Sequence, residues 1–172
     1  DAVERRNING SVIPVSEKFS YWRIERKLPV KKPLVSILIP TKDKLRLLRS
    51  CIDSLKNKTD YSNYEIIILD NDSSDSETHR YFEEFLKEES CKVLKVPGPF
   101  NYSKINNEGA RNAEGEILLL LNNDIEIIHS NWLTEIVSHA IRPEIGCVGA
   151  KLLYSDDTIQ HAGVILGPVS YT

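Results

Sequence analysis

Asn122-Asn123-Asp124 follows five apolar residues, Ile117 to Leu121, so one carboxylate and two amides stand at the end of a segment suited to burial. Such an oxygen-rich trio suits a divalent cation and a sugar diol, because hard ions take carboxylate and carbonyl oxygens. Two more polar clusters, Pro40-Thr41-Lys42-Asp43 and Asp70-Asn71-Asp72-Ser73-Ser74-Asp75, also follow short apolar runs directly. Turn chemistry alone would favour Asn, Asp and Ser at such junctions, since they cap helices and tolerate tight turns. The carboxylate beside paired amides weighs toward a binding site. His161 could act as base or ligand, but it lies in a strand-like stretch, Ile159 to Ile165, where a satisfied structural histidine is the commoner case. Lys104 and Arg111 could neutralise phosphate, although exposed helical cations are common.

The elements that must position these clusters read as alternating strands and helices. Val35-Ser36-Ile37-Leu38-Ile39, stopped by Pro40, suits a buried parallel strand. A helix is predicted from Asp43 to Lys58, where Leu45, Leu47, Leu48, Ile52 and Leu55 recur at helical spacing and Asp43 caps the first turn. The unit repeats as a strand over Glu65 to Leu69 and a helix from Asp75 to Glu89 with Tyr81, Phe82, Phe85 and Leu86 on one face. A third strand, Lys92 to Val96, leads through the loop Pro97 to Phe100 into a helix from Tyr102 to Ala113. A strand over Glu116 to Leu121, a helix over Ser130 to Ile141 and a strand over Gly146 to Gly149 complete the series. This is the pattern of an α/β fold with βαβ crossovers, a mainly parallel sheet flanked by helices and right-handed connections. Ligands of such sheets bind outside the carboxyl ends of the strands, so the three polar clusters converge on one edge. Residues 1–33 read as an N-terminal extension that packs its aromatics onto the domain formed by residues 34–172.

Composition narrows the function further. The 172 residues are 41% hydrophobic and 27% charged, ordinary for a soluble globular chain, and a net charge of -3 leaves no basic field for a nucleic-acid backbone. Cys51, Cys91 and Cys147 are odd in number and far apart, which fits three small buried side chains in a reduced compartment better than a disulfide framework. No apolar run reaches the roughly 18 to 20 residues of a membrane-spanning helix, so the expected location is cytoplasmic, free or peripheral at the inner face of the membrane in the full-length protein. The chain begins with Asp1 and has no methionine, so it is expected to be a piece of a longer protein. Gly-x-Gly-x-x-Gly, P-loop and Gly-x-Ser-x-Gly patterns are all absent.

The run Pro33 to Thr41, followed by Glu65 to Asp75, resembles the first half of family 2 glycosyltransferases, which have the Rossmann-like GT-A nucleotide-sugar-binding fold. Gly98 to Ser103 with Ile105-Asn106-Asn107, Gly115-Glu116, Leu121 to Asp124, Lys151 to Tyr154 and Ile159 to Gly163 are similar to a subgroup building bacterial surface polysaccharides, often with rhamnose. The resemblance covers about residues 33 to 167 in order. It implies a pocket in which Pro40 and Thr41 contact the nucleoside through their backbone and Asp70 or Asn71 bonds the base edge. Asn107 would line the pocket and fix its loop. Asn122-Asn123-Asp124 stands at the Asp-x-Asp position, so Asp124 would ligate Mg²⁺ or Mn²⁺ on the diphosphate and Asn122 or Asn123 would contact ribose. The donor would be a UDP, dTDP or GDP sugar and the acceptor a glycan or a lipid-linked glycan, with inversion by a single displacement. The resemblance also implies that the chain is truncated, the acceptor half and its catalytic base lying after Thr172, so no base is assigned here. The alternative is a non-catalytic nucleotide-binding or assembly module.

Overall fold

The N-terminal extension folds as helix α1 (Ala2–Arg5) and an antiparallel hairpin of β1 (Gly10–Pro14) and β2 (Trp22–Arg26), with Gly10 opposite Arg26. This is a computed structural model that describes residues 2–15 and 20–163. Tyr21 and Trp22, expected to pack onto the domain, are largely exposed, and Phe19 lies outside the described residues. A polar contact reaches the domain instead, from Arg23 to Glu135 at 2.6 Å.

The β-branched run then forms β3 (Val35–Thr41), in which Val35, Ile37, Leu38 and Ile39 are fully buried. Helix α2 (Leu45–Lys58) follows with Leu48, Cys51, Ile52 and Leu55 on its buried face. β4 (Tyr64–Asp70) leads to α3 (Ser76–Phe85), and β5 (Cys91–Lys95) leads to α4 (Tyr102–Asn112). Next come β6 (Ile117–Leu120) and α5 (Trp132–Ala140), then a small antiparallel pair, β7 (Leu152–Leu153) with β8 (Ile159–His161). α3 ends at Phe85, short of the expected Glu89, and Leu86 is exposed rather than part of its buried face.

The four central strands pair in parallel in the order β5-β4-β3-β6. Ile37 lies opposite Ile66 and Leu119, and Thr41 opposite Asp70, so the strands end together at one edge. Side chains alternate between faces. Val35, Ile37, Ile39, Ile66 and Ile68 pack with α2, α3 and α5, whereas Leu38, Ile67 and Leu69 pack with Ile105 of α4. Burying a side chain of this size stabilises by roughly 1.5–3 kcal/mol, so the two apolar layers hold the edge rigid.

Three expectations fail here. β6, expected to be wholly buried, is an edge strand among the described residues, and its Leu118 and Leu120 remain about half exposed, because α4 packs mainly over β3 and β4 on that face. Gly146 to Gly149 forms no strand; its backbone is irregular and largely exposed. Cys147 is exposed while Cys51 and Cys91 are buried, since only the latter two sit on elements that face the core. Among the described residues no helix is long and apolar enough to cross a membrane.

Candidate functional site

A cleft of about 300 Å³ opens at the shared carboxyl edge of the sheet, lined by Pro40, Thr41, Lys42, Asn71, Phe100, Tyr102, Ile105, Asn122, Asn123 and Asp124. Six of the eight residues picked out from the sequence meet there. The other two, Asp70 and Asn107, do not.

Asp70 is 2% exposed, and its carboxylate accepts the Ser73 N–H at 2.9 Å, closing the turn after β4. It serves the loop and lies outside the lining of the cleft. Asn107 is exposed on α4, outside the lining. Its neighbour Asn106 is the buried one, donating from Nδ2 to the Tyr102 carbonyl at 2.9 Å, while its buried Oδ1 has no partner among the described residues. Adjacent helical residues point about 100° apart, so one of two neighbouring asparagines had to face away.

Asn71 does line the cleft, and both of its amide hydrogens are engaged. Nδ2 donates to the carbonyls of Val96 and Gly98, each at 2.9 Å. Only Oδ1 is left for a ligand. Asp72 accepts the Gly98 N–H at 2.8 Å, so the loop after β5 is tied to the loop after β4 at two places. Gly98 has φ +115°, a conformation that a side chain would strain.

Asp43, expected to cap α2, does not. Lys44 is the N-cap, in a left-handed conformation with no side-chain bond, and the Asp43 carboxylate crosses to accept the N–H groups of Ser74 (2.8 Å) and Asp75 (2.9 Å). Those two donors hold the Asp43 carboxyl below its ordinary value, the Asp75 N–H contributing most. Asp75 caps α3 as its position suggests, accepting from Glu77 and Thr78.

The third cluster is positioned by α2. The Cys51 thiol donates to the Asn122 carbonyl at 3.6 Å, Ser54 Oγ accepts the Ile127 N–H at 2.9 Å, and Lys58 bonds the Ile127 carbonyl at 3.0 Å. Burial pushes the Cys51 thiol up to about 11, with the Asp124 and Glu126 charges adding to the shift. Asn123 Nδ2 donates to Thr41 Oγ1 at 3.0 Å, joining the ends of β6 and β3. Trp132 packs against the core and donates to Thr59 at 2.9 Å.

Asp124 differs from every other acid of the three clusters. Asp43, Asp70, Asp72 and Asp75 all accept backbone N–H groups, whereas the Asp124 carboxylate is exposed in the cleft with no hydrogen bond or ion pair among the described residues. No group of three or more His, Cys, Asp or Glu side chains among the described residues is placed to hold a metal. One carboxylate still fits a hard divalent ion when phosphate oxygens and water complete its shell.

The remaining candidates lie elsewhere. His161 is exposed on β8, outside the cleft, as neither a buried structural histidine nor part of the lining. The end of its stretch, Val164 and Ile165, lies outside the described residues. Arg111 pairs with Glu108 at 2.7 Å, and Lys104 is exposed on α4. Lys42 enters the lining with the first polar cluster, and Phe100, Tyr102 and Ile105 line the cleft without having been given a role there. Phe100 in the Pro/Gly loop after β5 and Tyr102 at the start of α4 were the available signal.

The model of the family described as Glycosyl transferase family 2 matches residues 36–165. The chain is 46% identical over 136 residues to the uncharacterized protein y4gI of Sinorhizobium fredii, covering 78% of this chain and 15% of that protein. It is 44% identical over 146 residues to the O-antigen biosynthesis protein RfbC of Myxococcus xanthus, covering 84% of this chain and 11% of that protein. The chain thus spans less than a sixth of the length of these curated relatives. Among solved structures, the mannosyltransferase PcManGT from Pyrobaculum calidifontis in complex with GDP-Man and Mn²⁺ superposes with TM-score 0.59 at 21% identity, over 69% of this chain and 35% of that one. The shared fold is the GT-A type.

Proposed function

Because the chain belongs to glycosyl transferase family 2, we propose that its cleft holds the nucleoside diphosphate of a sugar donor, with Asp124 facing the diphosphate through Mg²⁺ or Mn²⁺. The full-length protein would transfer that sugar, with inversion, to a glycan or lipid-linked acceptor during synthesis of a bacterial surface polysaccharide. The O-antigen relative supports that setting, and the GDP-Man and Mn²⁺ in the mannosyltransferase support a metal-assisted nucleotide-sugar site.

The observation that carries the reading is the Asp124 carboxylate, unpartnered among the described residues, in a cleft where every other cluster acid is engaged by the backbone. A divalent ion bound there would stabilise the charge on a leaving diphosphate without a proton transfer. Pro40 and Thr41 line the nucleoside side, Asn71 Oδ1 offers an acceptor to a base edge, and Asn122 offers an amide to ribose. Two amides in place of carboxylates reduce the negative charge around the ion, so metal affinity rests on Asp124 and the phosphates together.

Calorimetry of UDP, dTDP and GDP with Mn²⁺ tests this on the full-length protein. Binding of at least one of them, lost with chelator and in Asp124→Ala, is expected. Equal affinity with chelator sinks the metal assignment, and no binding of any of the three sinks the donor reading. If a nucleotide binds but the full-length protein transfers no labelled sugar from it, the non-catalytic nucleotide-binding module takes its place.

A further inference from the structure

We propose that Phe100 and Tyr102 form the wall on which the base of the nucleotide stacks, an assignment that rests on the donor reading above. Phe100 is 72% exposed and Tyr102 is 42% exposed, and both line the cleft beside the buried Ile105. Exposed aromatics clustered in a concave site, next to polar groups, mark a surface that something covers.

Their support is rigid. The loop that carries Phe100 is held through Gly98 by Asn71 and Asp72, and Asn101 caps α4 by accepting the Lys104 N–H at 2.9 Å. Phe100 and Tyr102 flank that cap, so the aromatic pair stands on a fixed loop and the first residue of a helix.

The strand order gives the cleft two unlike ends. Phe100 and Tyr102 follow β5 and Asp124 follows β6, the two outer strands among the described residues, while Thr41 ends β3 and Asn71 follows β4 between them. Three spacings of about 4.8 Å separate the outer strands, ~14 Å in all. That leaves room for a flat base at the aromatic end and a diphosphate at the Asp124 end. Asn71, between them, has its Nδ2 engaged by the Val96 and Gly98 carbonyls, which leaves Oδ1 as its one group available to the edge of a stacked base. Stacking tolerates every base, because each has a π face. The wall therefore supplies affinity for a nucleotide, and the choice among bases falls to edge contacts.

The test compares binding of UDP, dTDP, GDP and inorganic pyrophosphate, all with Mn²⁺, to the full-length wild type, Phe100→Ala, Tyr102→Ala, the double variant and Phe100→Tyr. The double variant is expected to bind the preferred nucleotide at least about tenfold more weakly, with pyrophosphate unaffected and Phe100→Tyr close to wild type. Both side chains are exposed, and an unchanged thermal midpoint of the ligand-free variants confirms that the fold persists. Nucleotide affinity that stays unchanged in the double variant, or falls together with pyrophosphate affinity, overturns the wall while leaving the donor reading intact. A loss seen for the nucleotide sugar and not for the nucleotide overturns it too, by giving the wall to the sugar. A wild type that binds no nucleotide at all removes the donor reading and this assignment with it.

Discussion

Asn123 hands a side-chain N–H to the Thr41 hydroxyl at 3.0 Å, and this bond joins the segment carrying Asp124 to the end of the central strand β3. Thr41 in turn donates to the Asp43 carbonyl at 3.2 Å, so the hydroxyl sits within a short chain of bonds. A neutral hydrogen bond of this kind contributes about 1 kcal/mol, close to a fivefold change in an equilibrium constant. Asn123→Ala is therefore expected to weaken Mn²⁺-nucleotide binding by about fivefold, well short of the loss in Asp124→Ala. Calorimetry on the two variants checks the ranking. An Asn123→Ala defect as deep as that of Asp124→Ala would give Asn123 a direct ligand contact instead.

Asp43 couples stability to pH. Its folded carboxyl is held below the ordinary 3.8 by the N–H groups of Asp75 and Ser74. A depressed folded value means that the unfolded chain takes up the proton first as pH falls. The contribution is thus fully present above the unfolded value and is lost as pH drops from there through the lower folded value. Asp43→Asn cannot titrate. It is expected to melt at a lower temperature than wild type at neutral pH, with the gap narrowing as the pH falls below 3.8. Melting curves across that window decide it, since a gap constant with pH would mean that the charge contributes nothing.

That contact also shows what a sequence hides. Asp43 precedes a helix at the position of an N-cap, and only the distant Ser74-Asp75 backbone, about thirty residues on, competes for its carboxylate. The buried runs of β3 and β4 were legible because both faces of a central parallel strand are covered, so neither shows polar alternation. The same logic misplaced β6, whose five apolar residues read as buried although the strand lies at the edge among the described residues. Six cleft residues were visible because polar strand ends announce themselves against apolar runs. Choosing Asn107 over Asn106 was beyond that signal, as α4 buries Ile105, Asn106 and Gly109 and has no long apolar stripe to set its rotation. The aromatic end of the cleft depends on a loop fold made by Asn71 and Asp72, which no local pattern encodes.

Glu65 anchors the opposite end of the sheet. It is 5% exposed, and its carboxylate accepts from Ser36 Oγ at 2.5 Å, the Glu114 N–H at 2.8 Å and Lys92 Nζ at 2.8 Å. Burial pushes its carboxyl up, yet these three partners together hold it below the ordinary value. Ser36 also accepts the Gly115 N–H at 2.8 Å, and a Cβ at Gly115 would stand 2.5 Å from Ser36 N, so the chain must pass here without a side chain. Glu65→Ala leaves the Ser36 hydroxyl and the Glu114 N–H without their acceptor, a loss of about 1–3 kcal/mol, while Lys92, more than a third exposed and still paired with Glu114, adds little. Overpacking makes Gly115→Ala cost roughly 1–3 kcal/mol. Urea denaturation of both variants gives the values. A Glu65→Ala variant as stable as wild type would show that the network is dispensable.

The three cysteines should differ in reactivity in an order set by exposure. The thiolate is the reactive form, and burial raises the Cys51 thiol to about 11 and shifts Cys91 upward as well. Both are also screened from reagent, at 1% and 5% exposure, whereas Cys147 stands open to solvent on an irregular segment. Iodoacetamide applied to the folded protein at neutral pH is therefore expected to label Cys147 alone among the three, and Cys51 and Cys91 only after denaturation. Peptide mass spectrometry reads the sites directly. Labelling of Cys51 at the rate of Cys147 would mean that α2 opens in the native state, and the segment it supports from Asn122 to Ile127 would then lose its fixed position beside the cleft.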